Sequence, residues 1–362
     1  MRKRVHAAII TVLCTALIFT FISCSDSAEV TTIAPHGART MPTGIITITP
    51  TAAPTPTDQL TPAESTPAEP TPSPTPTPPS YTDISPLTGL PYPGEYRPIA
   101  VMIEDNPAAR PQSGLSQADI VYEALVEGGI TRFMAVFSSV YPTRVGPVRS
   151  TRTHYVKLVN EWDCMFLHWG ASKLAYEMLD TVRLDMDGIS GNVPGVKRDN
   201  SKPKPHNVFA NLETLFKKYK YQPAEHTFKF GTPSGKKAEK VTIPFNNTFA
   251  KVKYDPASGK YLRSVAGEAF IDDNTQKQIA VTNIVVVYCE YFWENDVQQS
   301  IDYGKGGKAQ LFSGGICVDL IWEKKSNTDP MRFKDNDGND MVLNPGNTWF
   351  ELVKKQTKIT VE

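Results

Sequence analysis

An α/β domain followed by a mainly antiparallel β domain is the architecture that this amino-acid pattern points to, and three observations carry it. Short apolar runs alternate with segments of helical spacing as far as about residue 225, which implies strands layered with helices. Beyond that point β-branched and aromatic residues dominate, above all from Ile279 to Trp293. Turn signals recur there at Asp255-Pro-Ala-Ser-Gly259, Gly304-Lys-Gly-Gly307, Gly314-Gly315 and Asp337-Gly338. The cations also change type. Tyr81 to Asp199 holds eight Arg and three Lys, whereas from Asn200 onward there are two Arg, Arg263 and Arg332, against twenty-one Lys. Arginine is a rigid planar fork suited to bidentate or buried contacts and lysine a hydrated point charge. The first half therefore reads as the carrier of a polar site and the second as a solvated scaffold.

Residues 1–23 read as a secretory signal: Arg2, Lys3 and Arg4, an apolar stretch from Val5 to Ile22, then Ser23. The next residue, Cys24, makes Phe21-Ile22-Ser23-Cys24 resemble a bacterial lipoprotein lipobox. The expectation is lipidation at Cys24 and anchorage on the outer face of the cell membrane; an uncleaved membrane anchor is the alternative. Two acyl chains, at ~0.8 kcal/mol per buried CH₂, anchor stably where one does not. Residues 24–80 are dominated by Thr and Pro, with no apolar periodicity, and read as a disordered stalk biased toward polyproline II. At about 3.1 Å per residue its stiffest part would reach on the order of 100 Å. The folded remainder divides into an α/β domain, 81–225, and a β-rich domain, 226–362.

Charge excludes one class of partner. Removal of residues 1–23 takes away three cations and no acid, leaving 35 basic against 38 acidic residues, so there is no electrostatic footprint for nucleic acid. Cys164, Cys289 and Cys317 each sit in an apolar run and are expected as buried free thiols.

Within the α/β half the elements follow in order. Pro98 to Ile103 is a strand ending in Glu104-Asp105-Asn106. Ser116 is expected to cap a helix through Glu127, with Asp119 closing a capping box, Ile120, Val121 and Leu125 at helical spacing, and Gly128-Gly129 as terminator. Ile130 to Ser138 is β-like, and Ser150 to Trp162 reads as a second helix. Cys164 to Trp169 is a buried strand, Ser172 to Val182 a third helix with Ser172 capping, and Asn211 to Tyr219 a fourth.

The candidate site residues cluster in this half. Gly146-Pro-Val-Arg149-Ser150-Thr151-Arg152-Thr153-His154 puts two arginines into a first helical turn, where the macrodipole favours negative charge. Free N–H groups, two hydroxyls and two guanidinium groups make a ready site for a phosphate or carboxylate. The competing reading pairs Arg149 and Arg152 with Glu104, Glu123 or Glu127. Glu123 and Glu127, four apart on the expected helix, share one face and need cations such as Arg132, Arg149 and Arg152; a close carboxylate pair could also serve as acid and base. His168 ends a strand, where α/β sheets usually bind ligands, and His206 follows in a polar loop. With His154 they could form a proton-transfer set, but none lies at metal-ligand spacing, so no metal is expected and no motif asks for a cofactor. Gly304-Lys-Gly-Gly-Lys308 lacks the pattern of a phosphate loop, and Asp335-Asn-Asp-Gly-Asn-Asp340 fits a hairpin turn better than a calcium loop.

Ala109-Arg-Pro-Gln-Ser-Gly-Leu115, Asp119-Ile-Val-Tyr-Glu123, Glu127-Gly-Gly-Ile-Thr-Arg132 and Gly146-Pro-Val-Arg-Ser150 together resemble the YerB-like lipoprotein family, domain of unknown function 3048. His168-x-Gly170-x-Ser172, Arg198-Asp199, Pro205-His-Asn207 and Leu343-Asn-Pro-Gly-Asn-Thr-Trp349 fit the same pattern, over roughly residues 83–355. The resemblance implies a surface lipoprotein with an α/β and a β-rich domain and brings no established activity. Its motifs add Arg110 and Arg198 to the ligand-binding candidates Arg132, Arg149, Ser150 and Arg152. Trp169 stands where a small residue is expected. Three functions are carried forward: a binder of an anionic ligand, cell-wall fragment or envelope protein; an envelope hydrolase or transferase using Glu123 or Glu127 with His168 or His206; and a non-catalytic structural partner.

Overall fold

The first apolar runs become strands because every residue in them is buried. Ile99–Glu104 (β1), Ile120–Leu125 (β2) and Thr131–Phe137 (β3) pair antiparallel in the order β2-β3-β1, with Ile99 opposite Phe137 and Ile120 opposite Val136. The computed structural model describes residues 84–362 except Pro93 and Glu225, and these belong to one compact unit. The signal segment, Cys24 and nearly all of the Thr/Pro-rich stretch lie outside the described residues.

The helix expected from Ser116 to Glu127 is corrected by β2. Leu115–Gln117 forms a single 3-10 turn, and the Asp119 carboxylate accepts from the backbone N–H groups of Ser138 and Ser139 instead of closing a capping box. A central strand covered on both faces shows a near-continuous apolar run instead of alternation, and in Ile-Val-Tyr-Glu-Ala-Leu that run passed for helical spacing. The later helices and strand fall within the expected segments, Thr153–Trp162 (α1), Met165–His168 (β4), Lys173–Met178 (α2) and Leu212–Lys218 (α3), and Leu184–Asp187 adds a strand (β5) that was not expected. The Ser172 and Asn211 side chains cap α2 and α3. β4 joins β1 in parallel, and β5 joins β4 in the same way.

The second half supplies Lys240–Pro244 (β6), Phe249–Asp255 (β7), Lys260–Val265 (β8), Asn283–Trp293 (β9), Gly307–Ser313 (β10), Ile316–Glu323 (β11), Arg332–Asp335 (β12) and Thr348–Lys354 (β13). Its pairing is mainly antiparallel; apart from the short parallel pair of Val342–Leu343 with Lys229–Phe230, the exception is a strand that joins the two halves. β13 lies parallel to both β9 and β2, so a single mixed sheet runs β12-β11-β10-β9-β13-β2-β3-β1-β4-β5. A second, antiparallel sheet is built around β6, β7 and β8. Cys164 and Cys289 are buried and Cys317 half-buried, all three as free thiols.

The large sheet is the middle layer. Tyr155, Val159 and Trp162 of α1 pack with Tyr122, Met134 and Phe350 on one face. Val121, Phe133 and Trp349 on the other face pack against Val241, Val252 and Tyr261 of the second sheet. Amid this second core lies a charged group. Glu123 on β2 and Glu351 on β13 are register partners, and Arg263 from β8 reaches both carboxylates. All three side chains are at most 1% exposed. Like charges directly opposite on neighbouring strands repel, so the guanidinium is what permits them. The Trp349 ring lies 4.5 Å from the guanidinium carbon.

Removing one partner of a buried ion group leaves an uncompensated charge, typically at a cost of 3–5 kcal/mol, whereas apolar replacement of the whole group is often neutral. Arg263→Met is therefore expected to lose about 3–5 kcal/mol in urea unfolding of residues 81–362, and Glu123→Leu, Arg263→Met, Glu351→Leu combined to recover most of that loss. A single variant as stable as the parent would contradict the assignment.

Candidate functional site

Strands β1 and β4 stay paired only from Ile99–Val101 to Met165–Leu167. Beyond that point they part, and the segment 147–151 is wedged between them. Glu104 N–H donates to the Pro147 carbonyl and Arg149 N–H to that of Met102 on one side. Trp169 N–H donates to the Arg149 carbonyl and Thr151 N–H to that of Gly170 on the other. The chain enters this wedge at Gly146, whose φ of 148° and whose 2.6 Å clearance between a notional Cβ and the Val208 carbonyl oxygen admit no side chain. The wedge places Arg149, Ser150 and Arg152 at the C-terminal ends of parallel strands, the usual ligand-binding edge of an α/β sheet.

The arginines are not equivalent. Arg152 caps α1 instead of lying in its first turn, and α1 itself begins at Thr153, which corrects the expected helix start. Its Nε and Nη2 grip the Glu127 carboxylate, the latter at 2.9 Å, and Nη1 donates to the Thr151 carbonyl at 2.6 Å. Burial raises the Glu127 pKa, but the hydrogen bonds and charge of Arg152 outweigh it and hold the group below the usual carboxylate range. Arg132, opposite Glu104 in the β1–β3 register, donates from Nη1 to the Ser150 carbonyl at 2.6 Å. Burial, with the neighbouring Arg152 and Arg149 charges, lowers its pKa to about 10. The Ser150 hydroxyl donates to the Trp169 carbonyl. Arg110 donates to the Asp105 carboxylate at 3.1 Å.

Arg149 and Arg198 differ from these. Arg149 meets Glu104 through Nε at 3.2 Å, and its terminal nitrogens have no protein partner among the described residues. The other oxygen of Glu104 takes His206 Nδ1 at 2.8 Å. Arg198 is exposed, donates to the Asn207 side-chain oxygen at 2.6 Å, has no carboxylate partner among the described residues, and lies 4.9 Å over the Trp169 ring. Trp169 is thus a platform for Arg198. Its N–H bonds Arg149, and Asn207 follows His206, so the two cations belong to one mouth.

The proposed acid–base set does not assemble in one place. Glu123 and Glu127 do not share a helix face, since Glu123 points into the sheet-to-sheet core at Arg263 while Glu127 pairs with Arg152. His168 is fully buried, held between the Gly170 carbonyl at 2.9 Å and Asp185 at 2.7 Å. His154 is likewise buried, and burial plus Arg152 and Arg132 keep its ring neutral. Glu104–His206 is the acid–imidazole contact that reaches the mouth. Sequence reasoning named Glu104 as a partner for arginine but missed Asp105, which Gln112, Arg110 and Thr131 hold at the same strand end. The signal was present in Glu104-Asp105-Asn106 closing an apolar run.

A mixed, helix-covered sheet whose parallel strand ends carry a cation-rich segment, backed by a second β-sheet, defines an α/β protein with an antiparallel β companion layer. The chain belongs to the DUF3048 family. Residues 87–225 match the N-terminal domain of that protein of unknown function, and residues 241–350 match its C-terminal domain. It is 37% identical over 287 residues to "Putative lipoprotein YerB" of Bacillus subtilis (strain 168), spanning 74% of this chain and 86% of that one. The crystal structure of the YerB protein from Bacillus subtilis matches with a TM-score of 0.69 at 32% identity, over 76% of this chain and 99% of that one.

Burial sets a pH dependence. It raises Asp105 to about 7, with the Glu123 charge adding to it, and raises Glu123 to about 8 against the pull of Arg263. Both lie above their unfolded values of about 4, so the folded state holds the extra protons. Their contribution is complete below about pH 4 and is lost as pH rises through 7 and 8. Melting temperature is expected to fall between pH 5 and 8, with a shallower slope in Asp105→Asn and Glu123→Gln; a rising slope that both variants share with the parent would contradict this.

Proposed function

We propose that this protein is an envelope-tethered binder that receives an anionic group at the surface of the 147–151 segment, where it bridges the ends of β1 and β4. The observation that carries the reading is the contrast among the arginines: Arg110, Arg132 and Arg152 are engaged by the protein's own acceptors, whereas Arg149 and Arg198 keep guanidinium nitrogens unengaged at the strand ends. In this reading Ser150 and the three engaged arginines are the frame, and Arg149 and Arg198 are the receiving groups. A planar fork suits a carboxylate or phosphate, as on an anionic cell-wall fragment. The lipobox-like Phe21-Ile22-Ser23-Cys24, together with the name of the Bacillus relative, supports a lipid tether at Cys24 on the outer face of the membrane.

Binding of phosphate- and carboxylate-bearing wall fragments to residues 81–362, followed by calorimetry, is expected to weaken at least tenfold in Arg149→Ala, Arg198→Ala combined, with the melting temperature unchanged. Equal binding by parent and double variant would sink the reading. Cys24→Ala is expected to abolish incorporation of labelled fatty acid and to release the protein from the membrane fraction; unchanged membrane retention would favour the uncleaved anchor.

A further inference from the structure

A concavity lies where the C-terminal end of α1 faces Ala224, His226 and the loop before β12. It has a volume of about 440 Å³, within the range of small-molecule sites. Its charged walls close on themselves in two places. Glu161 pairs with Lys324 at 3.2 Å behind the wall, both side chains at most 2% exposed. The Asp163 carboxylate takes Arg183 Nε at 2.6 Å and the Ala224 N–H at 2.8 Å.

Two groups are left over. Arg332 is exposed and has no ion pair among the described residues, although it lies opposite Glu323 in the β11–β12 register. The His226 ring lies 4.3 Å from Trp162, and its buried Nε2 has no hydrogen-bond partner. Burial, with the Arg332 and Lys324 charges, lowers the His226 pKa to about 4, so the ring is neutral at pH 7. With two ion pairs closed, the cavity retains one guanidinium that makes no ion pair among the described residues, beside apolar wall from Val159, Ala224 and Pro330.

We propose that this cavity is a binding site for a small organic monocarboxylate, with Arg332 receiving the carboxylate and the His226 ring lying in the wall against the bound molecule. It shares no residue with the 147–151 site and does not depend on the anion reading made there.

Sodium benzoate and inorganic phosphate are the probes, titrated into full-length protein in detergent while the histidine ring C–H resonances are followed by NMR. Benzoate is expected to shift His226 saturably with a Kd at or below about 10 mM, phosphate to leave it in place, and Arg332→Gln to weaken benzoate about tenfold. The exposure of Arg332 favours a folded variant. Should Arg332→Gln melt early, Arg332→Lys, which keeps the charge and loses the fork, is expected to bind measurably more weakly than the parent. The proposal is overturned by an unmoved His226 signal, by a shift at His206 alone, by phosphate acting as strongly as benzoate, or by undiminished affinity in the folded Arg332 variant.

Discussion

Arg263 is the group on which the layering depends. It leaves one sheet and satisfies two carboxylates on adjacent strands of another, in a space from which water is excluded. A slip of one residue in β2 or β13 would turn Glu123 or Glu351 to the α1 face and strand the guanidinium among apolar side chains. The ion group is therefore a device for register more than for raw stability, since three apolar residues could fill the same volume. Asp105 feels the same field, because Glu123 raises it and Arg263 lowers it. The geometry at the end of β1 is in this way coupled to the contact between the sheets.

The gathering of cations at these strand ends follows from a second constraint, the wedge of residues 147–151. By taking the backbone hydrogen bonds that β1 and β4 would otherwise have exchanged, it brings a cation-rich segment to a strand edge already carrying Glu104 and Asp105. The acids then sort the cations. Those with bidentate or backbone partners become scaffold, and those at the rim keep donors facing outward. An arginine count alone overstates such a site; the number of unengaged nitrogens describes it better.

Much of this was legible in the sequence, and the rest was hidden for identifiable reasons. The helices from Thr153, Lys173 and Leu212 announced themselves by spacing and by the caps Ser172 and Asn211. The pairing of Arg149 with Glu104 and of Arg152 with Glu127 was foreseeable, since charges of opposite sign lay within a few motifs of one another. β2 was hidden because burial on both faces erases the alternation that marks a strand. Arg263 was hidden for a different reason. Its partners are 140 and 88 residues away, and it stood in a stretch read as a solvated scaffold. A lone arginine among lysines, at the inward position of Lys-Tyr-Leu-Arg-Ser-Val, was the trace it left. The match of two separate family domains did not expose the parallel pairing of β13 with β2 either, because long-range strand neighbours leave no local pattern.

That pairing has a bearing on biogenesis. One edge of β2 finds its neighbour only in Thr348–Lys354, with Ile120 opposite Thr348, about 230 residues further along the chain. During synthesis the first half therefore presents an incomplete sheet with a bare row of amides and carbonyls and a lone Glu123 inside it. Loop closure over that distance is slow, and an open edge invites pairing with other chains. A polypeptide wired in this way gains by collapsing late, once its distant strand has arrived to seal the gap.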